Sequence, residues 1–315
     1  MKVLYKSFSV LLFAALLSMN FKPPTDKETM RAIGNLEGLS QVLQRALDPG
    51  QDFMLIRQPK DGDWLAEHKE TGQTFAEFVH ANPIKPNGGR NTIYLQPLGR
   101  FSESQSPSLN MLKAYAEAFF ALEVNILPTI AIGKSTLSHR RNPYTGNRQI
   151  LTADILILLK RNRPPDAFCT LAITMEDLYP HPSWNFVFGQ ASLRDGVGVF
   201  SFARYDPKFY GEDRTKDCQK LLLQRSCKVL VHETGHMFSL AHCIYFKCVM
   251  NGSNHLQESD DRPQLLCPVC LRKLQHSIGF DVVERYRNLI HFYQDAGFDR
   301  EADWVSNRLK WILDE

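Results

Sequence analysis

The chain of 315 residues has no strong excess of charge of either sign. Its 37 lysines and arginines nearly balance its 34 acidic residues, so that the formal net charge is +3. No acidic residue occurs among the first twenty positions, which hold the basic residues Lys2 and Lys6. Nucleic acids and acidic membranes bind proteins through clustered positive charge. We therefore predict no nucleic-acid partner for this chain.

Long apolar runs are also lacking beyond the N-terminus, so we predict no further membrane span. The N-terminal run, from Phe8 to Leu17, is interrupted only by Ser9. It is short for a transmembrane helix, but such a run after basic residues is typical of a secretory leader. We predict that residues 1–20 form a signal peptide or an N-terminal anchor. A functional leader would export the protein to the periplasm or the extracellular space, and without one the protein would be intracellular.

Cysteine is absent before Cys169, and four of the seven cysteines lie close together in the last third of the chain. These four are Cys243, Cys248, Cys267 and Cys270. Two disulfide bonds would leave the CxxC spacing of the second pair unexplained, whereas a closed zinc site with four thiolate ligands is typical of such pairs. We predict a structural zinc ion there, which joins the loop after residue 242 to a helix beginning near Leu271.

Apolar spacing predicts helices and strands that alternate along most of the chain. One helix is expected over residues 25–48, and a loop-rich region follows it. The predicted strands are 92–96, 126–132, 168–174, 186–188 and 197–202. The predicted helices are 109–124, 153–160, 217–239, 282–295 and 300–313. Strands interleaved with helices, followed by helices alone, indicate an α/β fold with a helical C-terminal part.

The stretch His232-Glu233-Thr234-Gly235-His236 lies within the predicted helix 217–239. Histidines four residues apart lie on one face of a helix, so both imidazoles can bind one zinc ion. Glu233 lies about 100° around the helix from His232, where its carboxylate can contact a water on the metal. Zinc lowers the pKa of such a water to about 7, and a carboxylate can then take its proton as it attacks a carbonyl. The motif thus predicts Glu233 as a general base.

His242 can supply a third ligand only if the helix ends soon after His236. On a continued helix its side chain would face about 240° away. The spacing fits the pattern HExxHxxGxxH, which bends the chain between the second and third histidines. Ser239 occupies the glycine position here, and serine bears some strain in the left-handed conformation that glycine tolerates. We predict a turn at Ser239 and a catalytic zinc site formed by His232, His236 and His242.

The complete string of histidines, cysteines and methionine resembles the archaemetzincin family of zinc metallopeptidases. It reads His-Glu-x-x-His, five residues, His-Cys, four residues, Cys, one residue, Met250, and then the CxxC pair. Residues 183–190 and 271–287 also resemble family sequence, and the resemblance spans roughly residues 125–290. It implies that Met250, in the tight turn Met250-Asn251-Gly252, lies beneath the catalytic zinc.

The resemblance implies a metzincin-like α/β fold with a mixed twisted sheet, packed helices and an active-site helix. It also implies peptide or protein substrates and two zinc ions, one catalytic and one structural. We place the catalytic domain at residues 109–315 and an N-terminal extension of uncertain structure at residues 21–108. Strand 197–202 is expected to pair with substrate at the sheet edge, and the candidate oxyanion donors are Tyr179, Tyr205 and Tyr210. Aminopeptidase-like and endopeptidase activity both stay open.

Two other functions compete with a peptidase. A zinc-stabilised peptide-binding protein of weak catalytic activity would keep the fold but would not need Glu233, which contributes little to metal affinity. A site with Glu258 as the third ligand would leave His242 without purpose. The intact glutamate and the third histidine therefore favour a peptidase. His255 and His276 lie at no ligand spacing, and we expect solvated or capping roles for them.

Overall fold

The computed structural model describes residues 21–134 and 137–314. The predicted leader, residues 1–20, lies outside the described residues, so both the leader and export stay predictions. No helix in the described part of the chain is long and apolar enough to cross a membrane.

The described chain alternates helices and strands from residue 92 to residue 201 and is helical in its C-terminal part. The strands are β1 (Thr92–Leu98), β2 (Val124–Ile126), β3 (His139–Arg141), β4 (Arg148–Leu151), β5 (Ala167–Thr174), β6 (Asp177–Tyr179), β7 (Gly189–Ser192) and β8 (Val197–Ser201). The helices are α1 (Asp26–Ile33), α2 (Gln41–Leu47), α3 (Trp64–Glu67), α4 (Phe75–His80), α5 (Leu109–Phe120), α6 (Thr152–Arg161), α7 (Cys218–Met237), α8 (Leu256–Asp260), α9 (Pro268–Ile278), α10 (Val282–Asp295) and α11 (Asp299–Leu313). The α/β class with a helical C-terminal part is confirmed.

Five strands form a mixed sheet in the order β2-β1-β5-β8-β7, and β3, β4 and β6 form a smaller one. In the larger sheet β7 is antiparallel to β8, while the other neighbours are parallel. The strand expected at the substrate-binding edge, β8, therefore lies inside the sheet, and that prediction was wrong. The edge strand beside β8 is β7, because the turn at Gly196, which has φ +63°, folds β8 back along β7.

Both faces of the sheet are buried at its three central strands, β1, β5 and β8, as is usual for a largely parallel sheet. Leu171 and Ile173 of β5 belong to the apolar cluster shared with α5 and α7. Ala172, between them, points to the opposite face and packs in the cluster of α6. This alternation along a strand places α7 on one face of the sheet, where it contacts β5, β8 and α5.

Residues 25–48 form two short helices instead of the single helix that their spacing predicts. The first ends at Ile33, because Gly34 adopts φ +80°, a conformation that glycine adopts without steric cost. A Cβ at Gly34 would also lie 3.0 Å from the guanidinium of Arg272, which would have to shift slightly to make room for it. The second helix begins after Ser40, whose hydroxyl caps its first turn.

The boundary between an N-terminal extension and a catalytic domain at residue 108 stays a prediction. The structure places β1, which precedes this boundary, between β2 and β5 in the larger sheet. Helices α1, α2 and α4 also pack against α9. The described residues before 109 thus share one hydrophobic core with those after it.

A buried ion pair joins the smaller sheet to the turn that follows β8. Asp177 in β6 accepts two hydrogen bonds from Arg204, at 2.8 and 2.9 Å, and a third from Gln149 in β4 at 2.8 Å. The Arg204 guanidinium also lies 3.4 Å from the ring centre of Phe186. The pair therefore fixes Arg204, the residue that precedes Tyr205.

Replacing Asp177 by Ala is expected to lower the free energy of unfolding by about 3–5 kcal/mol, because the buried Arg204 cation loses its partner. Lys160→Ala, which removes the exposed ion pair with Asp195, should cost less than about 1 kcal/mol. Urea denaturation of both variants and the wild type measures the two values. Equal losses would show that the buried pair contributes no more than an exposed one.

Candidate metal centre and catalytic cavity

The active-site helix α7 carries the HExxH stretch at its C-terminal end. The helix ends at Met237, and Ser239 follows with φ +67°. The N–H of Leu240 bonds back to the carbonyl of Gly235 at 3.3 Å, which closes the turn. The turn predicted at Ser239 is confirmed, and it uses the left-handed conformation that serine adopts only with strain.

This turn brings the imidazole of His242 back to the two histidines of α7. One ring nitrogen from each of His232, His236 and His242 lies within 4.8 Å of the other two. The Nε2 atoms of His232 and His236 are 3.1 Å apart. Around a tetrahedral zinc ion with Zn–N bonds of about 2.0–2.1 Å, ligand nitrogens lie about 3.3–3.4 Å apart. The three side chains therefore fit a zinc ion.

The second nitrogen, Nδ1, of each ring faces an oxygen acceptor. The acceptors are the carbonyl of Val249 at 2.8 Å from His232, the carbonyl of Leu240 at 2.6 Å from His236, and Oε1 of Glu70 at 2.7 Å from His242. An imidazole that donates through Nδ1 keeps Nε2 unprotonated, which is the form that binds a metal. Burial, with repulsion from neighbouring imidazoles, lowers the pKa of His236 to about 4 and that of His232 well below its ordinary value. Both rings are therefore neutral at pH 7.

Glu233 lies beside the histidines on the wall of an open cavity of about 450 Å³. Burial raises the pKa of its carboxyl to about 7, and the proximity of His242 and Arg262 opposes that rise. A carboxyl group with such a pKa can both accept and donate a proton near neutral pH.

Tyr205 is the candidate oxyanion donor that lines this cavity, whereas Tyr179 and Tyr210 do not line it. The Tyr205 ring is buried and stacks on Phe188, with the ring centres 5.9 Å apart. Among the described residues, the Tyr205 hydroxyl has no hydrogen-bond partner. It is therefore free to donate to an oxygen atom in the cavity.

Met250 is fully buried against the active-site helix. A Cβ at Gly235 would lie 2.6 Å from its sulfur, so the glycine of the HExxH stretch leaves room for this side chain. The carbonyl of Met250 accepts the N–H of Cys243 at 2.8 Å. The methionine turn thus connects the histidine group to the cysteine group.

The four cysteines of that group converge in the core. The Sγ atoms of Cys243, Cys248, Cys267 and Cys270 lie within 4.8 Å of one another, and those of Cys243 and Cys267 are 3.5 Å apart. Sulfur ligands of a tetrahedral zinc lie about 3.8 Å apart, whereas the S–S bond of a disulfide is about 2.05 Å. All seven cysteines are free, and no disulfide forms. The group fits a metal ion with four thiolate ligands.

Glu258, the alternative third ligand, lies outside the histidine group. Its carboxylate accepts the backbone N–H groups of Trp64 and Asn254, at 2.9 and 2.7 Å. His255 accepts the N–H of Glu258 as the N-cap of α8 and pairs with Asp63 at 3.0 Å. The alternative with Glu258 as a ligand is therefore wrong, and the capping role expected for His255 is confirmed.

Sequence reasoning missed the residues that reach the site from the chain before residue 109. Trp64 lines the cavity, and Glu70 accepts the hydrogen bond of the third histidine. Arg262, also missed, lines the cavity from the loop after α8. No spacing rule connects these residues to the HExxH stretch, and their surroundings in the sequence indicate only loops.

The fold and the site together define the class of this protein. A helix bearing HExxH, a turn, a third histidine and a buried methionine below them form the metal site of zinc metallopeptidases of the metzincin type.

Comparisons with known proteins identify the family within that class. The family model described as Peptidase family M54 matches residues 152–276. Archaemetzincin-2 of Rattus norvegicus is 42% identical, over 89% of this chain and 85% of the relative. Archaemetzincin-1 of Homo sapiens is 36% identical, over 74% of this chain and 52% of the relative. A crystal structure of archaemetzincin from Archaeoglobus fulgidus has a TM-score of 0.43 and 31% identity, and covers 58% of this chain and 99% of that chain. This chain belongs to the archaemetzincin family and is a zinc metallopeptidase.

Proposed function

We propose that this chain hydrolyses peptide bonds with a zinc ion held by His232, His236 and His242, and with Glu233 as the general base. The observation that carries the proposal is the convergence of three imidazoles beside a buried carboxylate in an open cavity. Each imidazole presents one nitrogen to the cavity while an oxygen acceptor fixes the other. These are the ligand number and the base that zinc peptidases need.

The bound zinc would lower the pKa of a coordinated water to about 7 and polarise the carbonyl of the substrate. Glu233 takes a proton from water and gives it to the leaving amine, for which a pKa raised by burial to about 7 is suited. The Tyr205 hydroxyl donates to the oxygen on which negative charge develops. Phe186 and Phe188 form an apolar wall of the same cavity and exclude water from one side.

An extended substrate would pair with the edge strand β7, which begins at the cavity. Gly189 is both the first residue of β7 and part of the cavity wall. One side of β7 is paired with β8, and Gln190 and Ala191 are exposed. An exposed strand edge offers backbone N–H and C=O groups to an extended peptide.

We propose endopeptidase activity in preference to aminopeptidase-like activity. An aminopeptidase needs a negative group to hold the α-ammonium of its substrate. Among the described residues that line the cavity, Glu233 is the sole carboxylate, and Arg262 adds a positive charge. Such a wall does not favour a free N-terminus next to the scissile bond.

A second, structural zinc ion would be held by the four cysteines, so that each chain carries two zinc ions. All four side chains are at most 3% exposed, and a site closed by four ligands has no position for a substrate. The ion would join the methionine turn to α9, which begins between Cys267 and Cys270.

Glu233→Gln is expected to lower kcat by about 10²–10⁴-fold, since proton transfer by the carboxylate is lost. Its zinc content should equal that of the wild type, because Glu233 is not a ligand. The measurement is cleavage of a diverse peptide library together with metal analysis. Glu212→Gln, an exposed change of the same kind, should keep full activity. Full activity in Glu233→Gln would exclude the general-base role, and no cleavage by a zinc-loaded wild type would favour a peptide-binding protein.

Paired peptides with free and acetylated N-termini test the mode of cleavage. An endopeptidase should cleave both members at internal bonds, with similar kcat/KM. Mass spectrometry of the products identifies each bond cut. Release of single N-terminal residues from the free peptides alone would establish aminopeptidase activity instead.

The double variant Cys267→Ser, Cys270→Ser is expected to lower the zinc content from two ions per chain to one, because two of four thiolates are lost. Its midpoint of thermal unfolding should also fall, since a structural zinc contributes to folding. Cys169→Ser, in β5 and outside the group, should keep both ions. A double variant that still held two zinc ions would contradict the four-cysteine site.

A further inference from the structure

We infer that the segment from Trp64 to Ile84, far from the zinc motif in the sequence, is part of the catalytic metal site and that Glu70 is the positioning residue for His242. The inference rests on the proposed function, in that it takes the three histidines as the ligands. The segment lies outside residues 152–276, the part of the chain that the family model matches.

The third ligand depends on this segment in a way that the other two do not. His232 and His236 belong to a helix, and their Nδ1 atoms face backbone carbonyls of residues within the matched part of the chain. His242 belongs to a loop, and its Nδ1 faces the Glu70 carboxylate at 2.7 Å. A carboxylate acceptor orients the imidazole and raises the basicity of its other nitrogen. Glu70 thus orients His242, the one ligand of the three that no helix holds in place.

Glu70 is itself held in place by the segment. Its Oε1 atom also accepts the indole N–H of Trp64 at 2.7 Å. The Trp64 ring contacts the His242 ring edge to face, with the ring centres 5.1 Å apart, and lines the catalytic cavity. His242 and Trp64 both donate to the same oxygen of the Glu70 carboxylate. These two hydrogen bonds fix the orientation of the carboxylate. The ligand, its acceptor and the cavity wall therefore form one unit.

The methionine turn is shaped to receive this unit. A Cβ at Gly252 would lie 2.4–2.6 Å from three atoms of the Trp64 indole. The absence of a side chain at Gly252 thus allows Trp64 to approach the turn that carries Met250. An added methyl group would displace the indole, because the ring also packs against the His68 ring with the ring centres 3.9 Å apart.

The same segment holds the strained turn between the second and third ligands. The Gln73 side chain donates to the carbonyl of Ser239 at 3.3 Å and accepts the N–H of Ala241 at 3.2 Å. The Ser239 hydroxyl accepts the N–H of Ile84 at 3.1 Å. Lys273, nearly fully buried, donates to Gln73 in turn. These bonds stabilise the left-handed serine that directs the chain toward His242.

The experiment measures zinc affinity at the histidines in full-length protein. Wild type, Glu70→Ala, Glu70→Gln and Glu67→Gln are stripped of labile metal and titrated with zinc against a chromophoric chelator. Glu67 is exposed in the same segment and has no hydrogen bond to His242. His236→Ala identifies the zinc that remains at the cysteines. The free energy of unfolding of each metal-free protein is measured in urea.

Glu70→Ala should bind zinc at the histidines about 10–100-fold more weakly than the wild type. Glu70→Gln should lie between them, because its amide oxygen accepts the same N–H without a charge. Glu67→Gln should match the wild type. Gly252→Ala, which displaces Trp64 without touching a ligand, should also weaken zinc binding.

Wild-type zinc affinity in Glu70→Ala would overturn the inference. The inference would also be overturned if Glu70→Gln bound zinc more weakly and its metal-free form lost an equal amount of free energy of unfolding. Glu70 would then stabilise the fold and would have no separate effect on His242. The failure of the inference and the failure of the proposed function give different results in this experiment. If Glu70→Ala weakens zinc binding but the wild type cleaves no peptide, the inference stands and the proposed function falls. A wild type without zinc at its histidines would overturn both.

Discussion

A straight α-helix can present two ligands to one metal ion, but it cannot present a third one six residues further along. The architecture of this site depends on that constraint. The chain has to leave α7 directly after His236, reverse at Ser239 and return His242 to the other two histidines. A left-handed serine costs about 1–3 kcal/mol, so the surrounding structure has to hold it. That structure comes from distant parts of the chain, namely the Trp64–Ile84 segment and buried Lys273 of α9.

Burial performs two tasks at the site. It keeps the imidazoles of His232 and His236 neutral, which is the form that binds a metal, and it raises the pKa of Glu233 toward neutrality. Both effects require α7 to be packed on every side except the cavity. The sheet provides one side, α5 another, and the methionine turn, held against the cysteine group, a third. The cysteine group therefore lies where it can stabilise the return of the chain without contact with substrate.

Patterns of short range were predicted well. The helix 217–239, the bend at Ser239, the grouping of three histidines and that of four cysteines all follow from spacings within a few residues or one loop. Features that depend on residues far apart in the sequence were not predicted. The helix over residues 25–48 divides at Gly34, where Arg272 of α9 approaches the backbone. The edge strand is β7 and not β8, because strand order depends on pairing partners that no local pattern records.

The sequence by itself determined which atoms can bind metal and in what order they leave the helix, because i, i+4 spacing and CxxC spacing are geometric facts of a few residues. Only the tertiary structure decided what surrounds those atoms. Glu70 meets His242 across 172 positions, Trp64 fits against Gly252, and Tyr205, of three tyrosines, faces the cavity. Such contacts arise when a hydrophobic core brings distant segments together. Their partners are set by the packing of the whole chain, and no periodicity in the sequence records them.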